Sequence, residues 1–530
     1  MKTSTCSLLL AGLFSLGSNF VSADQSNTDA LEAFAEGLGL SSTEISGLAE
    51  SYDAAGDNVD ISCSLLGLLF PESTVLPGAE VAYTSKVGIN WSVRAHLTPS
   101  CIFSPNSTST AATGVKIAAF LNTPFAIRSG GHTPDPGAAS ISRGVLFSLE
   151  NLNEVTIDHE SGVARIGPGN RWINVYEKCE SEDVLVVGGR VAPVGVGGLI
   201  TGGGLSFLSG TEGFAADTVK NFEVVLASGE VVNANATSHP DLWWALKGGS
   251  NNFGLVTRID LATIPKPSGL IYGGTLYFLP YQYPAIISAI KAFQEKGQIE
   301  DPKAAIISSF IRMPSQSAEL LTLQVFHQDP EATVPEALQP FFDVGPFQNT
   351  ASVRPLSSFA NEIYSMESVP VARQSFRDLS VLVSEEMYQY AIDLFTSTYA
   401  ALDDVPGFLG SLTYQPISTA MVDVANSTGG RAMGVPRAPH VWFCLNAMWA
   451  EEADDELVLG TGKAFMAKLA EKSRELGVEE PFLYLNDAAQ DQGVVESYGE
   501  EVVERLRGVS GVYDEGKVFQ RLVKGGFKLW

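Results

Sequence analysis

One short run of the sequence joins a basic residue, two glycines and a histidine directly after a predicted strand. Arg128, Ser129, Gly130, Gly131 and His132 follow an apolar segment at positions 124–127. Successive backbone N–H groups in a glycine turn can form a concavity that binds an anion, and a side chain at the end of a strand can reach a ligand groove. A lone histidine beside glycine is more often an ordinary loop residue, so the role of His132 depends on its neighbours.

A second run is rich in glycine. Within 26 positions the chain carries Gly188, Gly189, Gly195, Gly197, Gly198, Gly202, Gly203, Gly204, Gly210 and Gly213. Glycine at this density costs backbone entropy on folding, and it is favoured where the main chain approaches a ligand closely or adopts positive φ. The run predicts a surface for a flat or extended anionic ligand, with tight turns between strands as the alternative.

Other kinds of site lack their sequence signatures. The six histidines are scattered and no Cys-x-x-Cys pair occurs, so we predict no metal. The Gly-x-Ser-x-Gly elbow of hydrolases is absent, and the segment 460–463 departs from a phosphate-binding loop on both sides. The run that starts at Gly195 has Ile200 where the dinucleotide fingerprint needs a small residue, which disfavours an NAD dehydrogenase.

The order of the motifs resembles that of a known family. The run 128–132 is followed by Gly-Val-Gly-Gly at 195–198, Gly-Gly-Gly at 202–204, Asp217, and His-Pro-Asp-Leu-Trp-Trp-Ala-Leu-Lys-Gly-Gly at 239–249. This order is similar to that of the berberine bridge enzyme-like branch of the vanillyl-alcohol oxidase flavoprotein superfamily, especially its fungal members. The resemblance covers nearly the whole chain after residue 60.

The resemblance implies that the chain binds FAD and that His132 bonds covalently to the 8α-methyl carbon of the flavin. The further cofactor-binding residues that it implies are Arg128, Ser129, Gly130, Gly131, Val194, Gly195, Gly197, Gly198, Gly202, Gly203, Asp217 and Val256. Many relatives have a second tether, a cysteine four residues before the Gly-x-Gly-Gly run. Val191 stands there in this chain, so a single covalent link is expected.

Two further implications concern the reaction. A small residue just before Gly195 lets oxygen reach the flavin in relatives; Val194 occupies that place and favours an oxidase, with ordinary packing as the alternative. The segment 482–487 resembles the strand that returns a tyrosine and an asparagine to the flavin. Tyr484 is the candidate base if its pKa of about 10 is lowered, and Asn486 would orient flavin or substrate, whereas a core role is the alternative for Tyr484.

The chain is long enough for several domains. It has 530 residues, of which 45% are hydrophobic and 18% charged, as in a globular protein. The resemblance implies an α+β fold: a two-part FAD-binding domain of the vanillyl-alcohol oxidase type at 93–265, and a substrate domain at 266–475 built on an antiparallel sheet covered by helices. We also expect an N-terminal helical segment at 24–92 and a C-terminal segment at 476–530 that returns to the flavin site.

Charge and the first residues bear on partners and location. The formal net charge of −27 would repel nucleic acid or an anionic membrane. Residues 1–23 are typical of a signal peptide, with Lys2, an apolar run at 8–16 and Val-Ser-Ala at 21–23. An uncleaved anchor is the alternative, but the run is shorter than the roughly 20 residues that span a bilayer. We expect a protein that is secreted or lies in the secretory lumen, without a membrane partner after signal removal.

Cysteines and glycosylation sequons fit the same route. Loss of Cys6 with the signal leaves four cysteines in an oxidising compartment, and a Cys63–Cys101 disulfide is the favoured pair, with buried thiols as the alternative. Asn-x-Ser/Thr sequons, the acceptors of a glycoprotein, begin at Asn90, Asn106, Asn235 and Asn426.

The function implied by the resemblance is an FAD-linked oxidoreductase. It would remove hydride from a small organic substrate, in fungal secondary metabolism, and pass the electrons to molecular oxygen. A carbohydrate oxidase, a quinone or protein acceptor in place of oxygen, and a flavin-binding protein without turnover are the alternatives.

Overall fold

The computed structural model describes residues 23–49, 51–52, 56–331, 333–367 and 372–530. The expected signal peptide, residues 1–23, lies outside them except for its last residue. No helix among the described residues combines the length and the apolar character needed to cross a bilayer.

The helices of the described residues are spread over the whole chain. In chain order they are α1 (Ala23–Gly37), α2 (Ser42–Ala49), α3 (Val59–Leu69), α4 (Glu80–Val87), α5 (Thr108–Phe120), α6 (Trp172–Glu180), α7 (Val196–Thr201), α8 (Ser209–Glu212), α9 (Pro240–Leu246), α10 (Tyr283–Ala292), α11 (Gln298–Glu300), α12 (Gln339–Asp343), α13 (Leu356–Glu367), α14 (Glu385–Tyr399), α15 (Thr419–Asp423), α16 (Asp455–Glu475), α17 (Val494–Ser497), α18 (Glu500–Tyr513) and α19 (Val518–Arg521).

The strands form two groups, one before and one after residue 268. In chain order they are β1 (Thr74–Val75), β2 (Cys101–Phe103), β3 (Phe125–Arg128), β4 (Val145–Ser148), β5 (Val155–Asp158), β6 (Val163–Ile166), β7 (Val184–Leu185), β8 (Val219–Val225), β9 (Val231–Asn235), β10 (Leu255–Ala262), β11 (Ile264–Pro265), β12 (Leu270–Phe278), β13 (Ala304–Met313), β14 (Ala318–His327), β15 (Gln348–Asn349), β16 (Ser352–Pro355), β17 (Arg373–Leu382), β18 (Leu409–Ile417), β19 (His440–Trp449) and β20 (Glu479–Glu480).

The first half of the chain forms two main sheets. A four-stranded sheet has the order β1-β2-β4-β3, in which β2 and β3 both run parallel to β4. All four residues of β4 are buried, as expected of a parallel strand covered on both faces. Between β2 and β3 the chain forms α5, which is capped by the Ser107 hydroxyl accepting the Thr110 N–H. This unit places the turn 129–132 at the carboxyl end of β3.

The second sheet of this half is antiparallel, with the order β5-β6-β10-β8-β9. Its strands β8 and β9 form the hairpin predicted around Ser228 and Gly229, and Gly229 has a φ of +77°. Positive φ at this turn is accessible to glycine without steric cost.

The second half is built on one large antiparallel sheet. Its order is β15-β12-β14-β13-β18-β19-β17-β20, and β16 also pairs with β12. Helices α10, α14 and α16 pack together on one face. In α14 the Ser384 hydroxyl accepts the Met387 N–H, and the buried residues Met387, Tyr388, Ala391, Ile392 and Phe395 fall at helical spacing. The prediction of an α+β fold with an antiparallel sheet covered by helices is confirmed.

The chain after β20 departs from the predicted strand. Residues 481–484 have no strand ladder, because the Tyr484 N–H donates to the Asp378 carboxylate (2.6 Å) and the Leu483 N–H donates to the Ser497 hydroxyl (3.0 Å). Side-chain acceptors take the place of a neighbouring strand. The segment nevertheless returns to the first half, where Tyr484 contacts the backbone of Leu205.

One sequon is incompatible with a glycan in the folded chain. Asn90 is only 3% exposed, and its side-chain amide donates to the carbonyls of Ala95 (3.1 Å) and Ala139 (3.2 Å). By contrast, Asn106 and Asn426 are exposed.

The expected disulfide is present. Cys63 of α3 and Cys101 of β2 are bonded, at a sequence separation of 38. The bond therefore ties the N-terminal helical segment to the four-stranded sheet.

We expect the double substitution Cys63→Ser and Cys101→Ser to lower the free energy of unfolding by about 3–4 kcal/mol, because a closed loop of this length restricts the unfolded chain. Thermal denaturation with and without a thiol reductant measures the effect. Reductant should lower the wild-type midpoint to that of the double variant and leave the variant unchanged; equal midpoints for oxidised wild type and variant would contradict a stabilising bond.

Candidate functional site

A cavity of about 370 Å³ lies where the two halves of the chain meet. Its lining comes from the turn after β3, the glycine-rich run, the exposed face of the large sheet and the segment after β20. The predicted site residues that line it are Ser129, Gly130, Gly131, His132, Val194, Gly195, Gly197, Gly198, Val256, Tyr484 and Asn486. Val191 lines it as well.

The two glycine turns touch through their backbones. A Cβ on Gly130 would lie 2.5 Å from the Cα of Gly195, and a Cβ on Gly195 would overlap the backbone nitrogen of Gly130. The Ser129 hydroxyl joins the same contact, because it accepts the Gly197 N–H (3.1 Å) and donates to the Pro168 carbonyl. Any side chain at Gly130 or Gly195 would push the two turns apart.

The remaining glycines serve different purposes. Gly203 and Gly204 have φ values of +105° and +81°, and a Cβ on Gly202 would overlap the Asn486 side chain. Gly198 differs from these, because a Cβ there would meet no protein atom within 4 Å although the residue lines the cavity. Positive φ explains glycine at positions 203 and 204, and close packing explains it at position 202. The open space beside Gly198 instead leaves room for a bound group.

His132 is held in a fixed orientation on the cavity wall. Its imidazole stacks on the Trp91 ring, with centroids 4.4 Å apart and planes 10° from parallel. The Trp91 N–H in turn donates to the Gly131 carbonyl (2.9 Å), and Gly131 has a φ of +67°. Burial, and secondarily the Arg171 charge, lowers the His132 pKa to about 3. The imidazole is therefore neutral at neutral pH, with a lone pair on one ring nitrogen.

Arg128 and Asp217 lie away from the cavity. Arg128 is 1% exposed and donates to the carbonyl of Lys86 (2.7 Å) and the side chains of Asn90 (3.0 Å) and Ser148 (3.0 Å). Asp217 pairs with Arg431 at 2.6 Å. The Arg128 charge is thus stabilised by neutral acceptors, and that of Asp217 by an ion pair, as buried charges require. Direct contacts of these two residues, and of Gly202 and Gly203, with a cofactor stay predictions, since none of the four lines the cavity.

Tyr484 lines the cavity as a neutral phenol. Its oxygen accepts the Leu205 N–H (2.8 Å) and the Asn486 amide N–H (3.0 Å), and its ring stacks on Trp442 at 4.3 Å. Burial, with the Asp487 charge second, raises the pKa of Tyr484 to about 12. The lowered pKa that Tyr484 would need to act as a base is therefore absent, because desolvation outweighs the two hydrogen bonds. The Tyr484 hydroxyl is thus a hydrogen-bond donor at neutral pH.

A linked set of three side chains was missed at the sequence level. Arg190 donates through Nη2 to the Gln415 side-chain oxygen (2.6 Å), and Gln415 donates through Nε2 to the Asp487 carboxylate (2.7 Å). All three line the cavity beside Tyr484. Burial raises the pKa of Asp487 above its usual value. Gln415 belongs to no motif, but Arg190 lies within the glycine-rich run and Asp487 follows Asn486, so two of them carried a signal in their position.

The wall formed by the large sheet is mostly uncharged. Ser309 and Thr413 pair across β13 and β18 with their hydroxyl oxygens 2.8 Å apart, and Cys444 is opposite Thr413 on β19. Gln324 and Gln415 are the other polar residues of this wall, and Ile307 and Phe376, with Ile363 of α13, supply apolar surface. The cavity therefore offers a few hydrogen-bonding groups on an apolar background.

Comparison with known proteins agrees with this site. Residues 99–235 match the FAD binding domain family. The chain is 34% identical over 481 residues to the FAD-dependent monooxygenase prx3 of Penicillium roqueforti, across 88% of this chain and 93% of that protein. It is 33% identical over 502 residues to the bifunctional solanapyrone synthase of Alternaria solani, across 95% of each.

Solved structures share the fold. Berberine bridge enzyme superimposes with a TM-score of 0.69 at 16% identity, covering 87% of this chain and 98% of that one. The glucooligosaccharide oxidase of Acremonium strictum, which carries 6-S-cysteinyl, 8α-N1-histidyl FAD, superimposes with a TM-score of 0.69 at 19% identity, covering 84% and 94%. The chain therefore belongs to the same family as the fungal FAD-dependent monooxygenase prx3, has the fold of berberine bridge enzyme and is an FAD-dependent oxidoreductase.

Proposed function

We propose that the chain is an oxidase that holds FAD through one covalent bond to His132 and oxidises a small, largely apolar organic substrate of fungal secondary metabolism. The observation that carries this proposal is the neutral, oriented imidazole of His132 on the wall of a cavity bordered by both glycine turns. When bound, FAD supplies hydride acceptance and reoxidation by oxygen with release of hydrogen peroxide.

The residues present fit this cofactor. A covalent bond to a flavin carbon needs an unprotonated ring nitrogen, which the low pKa of His132 provides. The open space beside Gly198 admits a group close to the main chain. Val191, which lines the cavity where relatives place a cysteine, has no sulfur for a second bond. The glucooligosaccharide oxidase carries FAD with both a histidyl and a cysteinyl bond. Its histidyl bond supports the one proposed here, whereas Val191 provides no counterpart to its cysteinyl bond.

The polar groups around Tyr484 have two roles toward the substrate: one donates a hydrogen bond and the other accepts a proton. The Tyr484 hydroxyl, fixed by Asn486 and the Leu205 N–H, donates a hydrogen bond to the substrate oxygen. Loss of hydride from a carbon that bears a hydroxyl leaves a proton to be taken up. Asp487, held by Gln415 and with a raised pKa, takes that proton in place of Tyr484.

The cavity wall supports a compact substrate over an oligosaccharide. A sugar chain presents many hydroxyl groups that need partners, and the wall formed by the large sheet supplies few: chiefly Ser309, Gln324, Thr413 and Gln415. The fungal relatives named as FAD-dependent monooxygenases and as a bifunctional solanapyrone synthase favour the same substrate class. Residues of the large sheet, such as Ile307, Gln324 and Thr413, line the cavity together with the glycine turns, which supports turnover over simple flavin binding.

Location in the secretory pathway is part of the proposal. A disulfide between Cys63 and Cys101 is typical of an oxidising compartment, and the exposed sequons at Asn106 and Asn426 can accept glycans there.

The covalent bond can be tested by acid precipitation. We expect the wild-type pellet to stay yellow and the His132→Ala pellet to be colourless, because loss of the imidazole nitrogen removes the bond. The visible absorbance of the redissolved pellets measures the bound flavin. Retention of colour by His132→Ala would reveal a different attachment residue.

The two kinds of glycine can be separated by one pair of variants. Gly195→Ala should lower the stability of the fold by about 1–3 kcal/mol, because its methyl group would overlap the Gly130 backbone. Gly198→Ala should leave the fold intact and reduce the flavin content, because its methyl group projects into the cavity. Thermal denaturation of the apoprotein and the ratio of flavin to protein absorbance measure the two effects. A full flavin complement in Gly198→Ala would remove this residue from the cofactor site.

Oxygen as acceptor can be tested by stopped flow on the photoreduced holoenzyme. We expect reoxidation within seconds in air-saturated buffer with one hydrogen peroxide per flavin, and slower reoxidation in Val194→Leu, because the larger side chain narrows the cavity. A half-time of many minutes in the wild type would favour a quinone or protein acceptor.

The monooxygenase names of the relatives make oxygen insertion the second candidate, and ¹⁸O₂ would then label the product.

A further inference from the structure

Arg190 is the one arginine or lysine among the residues that line the cavity. It lies in the irregular segment between β7 and α7, within the glycine-rich run. Its single hydrogen bond among the described residues is the one from Nη2 to Gln415, and it forms no ion pair there. Because a guanidinium has five N–H donors, most of them have no acceptor within the described protein.

The surroundings of Arg190 do not replace a counter-ion. Its neighbours in the cavity include the apolar side chains of Leu205 and Ile307. The carboxylate of the network, Asp487, is hydrogen-bonded to Gln415; the Arg190 charge opposes the rise of the Asp487 pKa, but the two side chains form no ion pair among the described residues. A partly buried cation without an anionic partner is costly, and a ligand that brings the missing charge recovers that free energy.

The other cationic or acidic groups near the cofactor site contrast with Arg190. Arg128 donates to three acceptors inside the protein, and Arg431 pairs with Asp217. Asp135, the second carboxylate on the cavity lining, accepts the Gln490 N–H. Arg190 is thus the one basic side chain of the cavity lining, and among the described residues both it and the Tyr484 hydroxyl beside it have donors without a protein acceptor.

We propose that Arg190 binds an anionic oxygen of the substrate, so that the substrate of this enzyme is a small organic acid: a carboxylate, a phenolate or an enolate. This inference rests on the proposed function, because it assigns a substrate class to the same cavity. Gln415 fixes one side of the guanidinium and leaves the rest to the anion. Tyr484 donates to the oxygen at the carbon that loses hydride, and Asp487 accepts its proton.

Ligand binding to the yellow holoenzyme tests the proposal without a known substrate. The probes are benzoate, pentafluorophenolate and the enolate of dimedone, with benzamide as the neutral counterpart, and the readout is the change in flavin absorbance on titration. We expect at least one anion to bind about tenfold or more tightly than benzamide, the range of a charge-assisted hydrogen bond. The anion that binds best distinguishes the three sources of the charge.

Substitution of Arg190 identifies the residue responsible. Arg190→Gln should abolish the preference for the anion, Arg190→Lys should keep part of it, and Arg437→Gln, at an exposed arginine paired with Asp423, should leave it unchanged. Equal binding of the anion by wild type and Arg190→Gln, or no anion preference in wild type, would overturn the proposal. Should Arg190→Gln fail to fold, Arg190→Lys with unaltered anion affinity and unaltered selectivity over benzamide would also overturn it.

Two results distinguish failure of the proposed function from failure of the proposed substrate class. A chain that binds no flavin fails the proposed function itself. A yellow protein whose flavin content drops in Arg190→Gln, without any anion preference in wild type, assigns the guanidinium to the cofactor and overturns only the substrate class.

Discussion

The contact between the turns at Gly130 and Gly195 is the constraint on which the rest of the site depends. Two stretches of main chain, more than sixty residues apart in sequence, approach so closely that neither position tolerates a Cβ. The Ser129 hydroxyl spans the contact by accepting from Gly197 and donating to Pro168. This junction brings the strand end that carries His132 against the glycine-rich run, so the cavity wall is assembled from both.

The charges around the cavity follow from the same arrangement. Arg128 and Asp217 are buried outside the cavity lining, where Arg128 donates to acceptors of the protein and Asp217 pairs with Arg431. Burial also keeps the His132 imidazole and the Tyr484 phenol neutral, so one presents a lone pair and the other an O–H donor to the cavity. Among the lining side chains of the described chain, Arg190 is the one cation that forms no ion pair. This difference is the reason to propose it as a binding residue and not a structural one.

The sequence was most informative where backbone geometry dictates residue type. Gly130, Gly195 and His132 were identified from local motifs because close approach and chemistry admit few alternatives at those positions, and the antiparallel second sheet followed from the family resemblance. Arg128 and Asp217 carried the same motif signal but do not line the cavity, because a motif does not reveal which way a charged side chain turns; their contact with the cofactor stays a prediction. Gln415 had no signal, since its role arises only when β18 is brought against the segment after β20. The lowered pKa that Tyr484 would need as a base is absent because burial against Trp442 and its neighbours raises the pKa, and such burial is a tertiary effect that a local motif does not reveal.

The most direct test of the account is mass spectrometry of tryptic peptides from the holoprotein. Cleavage after Arg128 and Arg143 releases residues 129–143, in which His132 is the single histidine. A single covalent bond between His132 and FAD predicts that this peptide carries the mass of the flavin group and that no other peptide does. Unmodified peptide 129–143 as the sole form, or flavin on a different peptide, would contradict it.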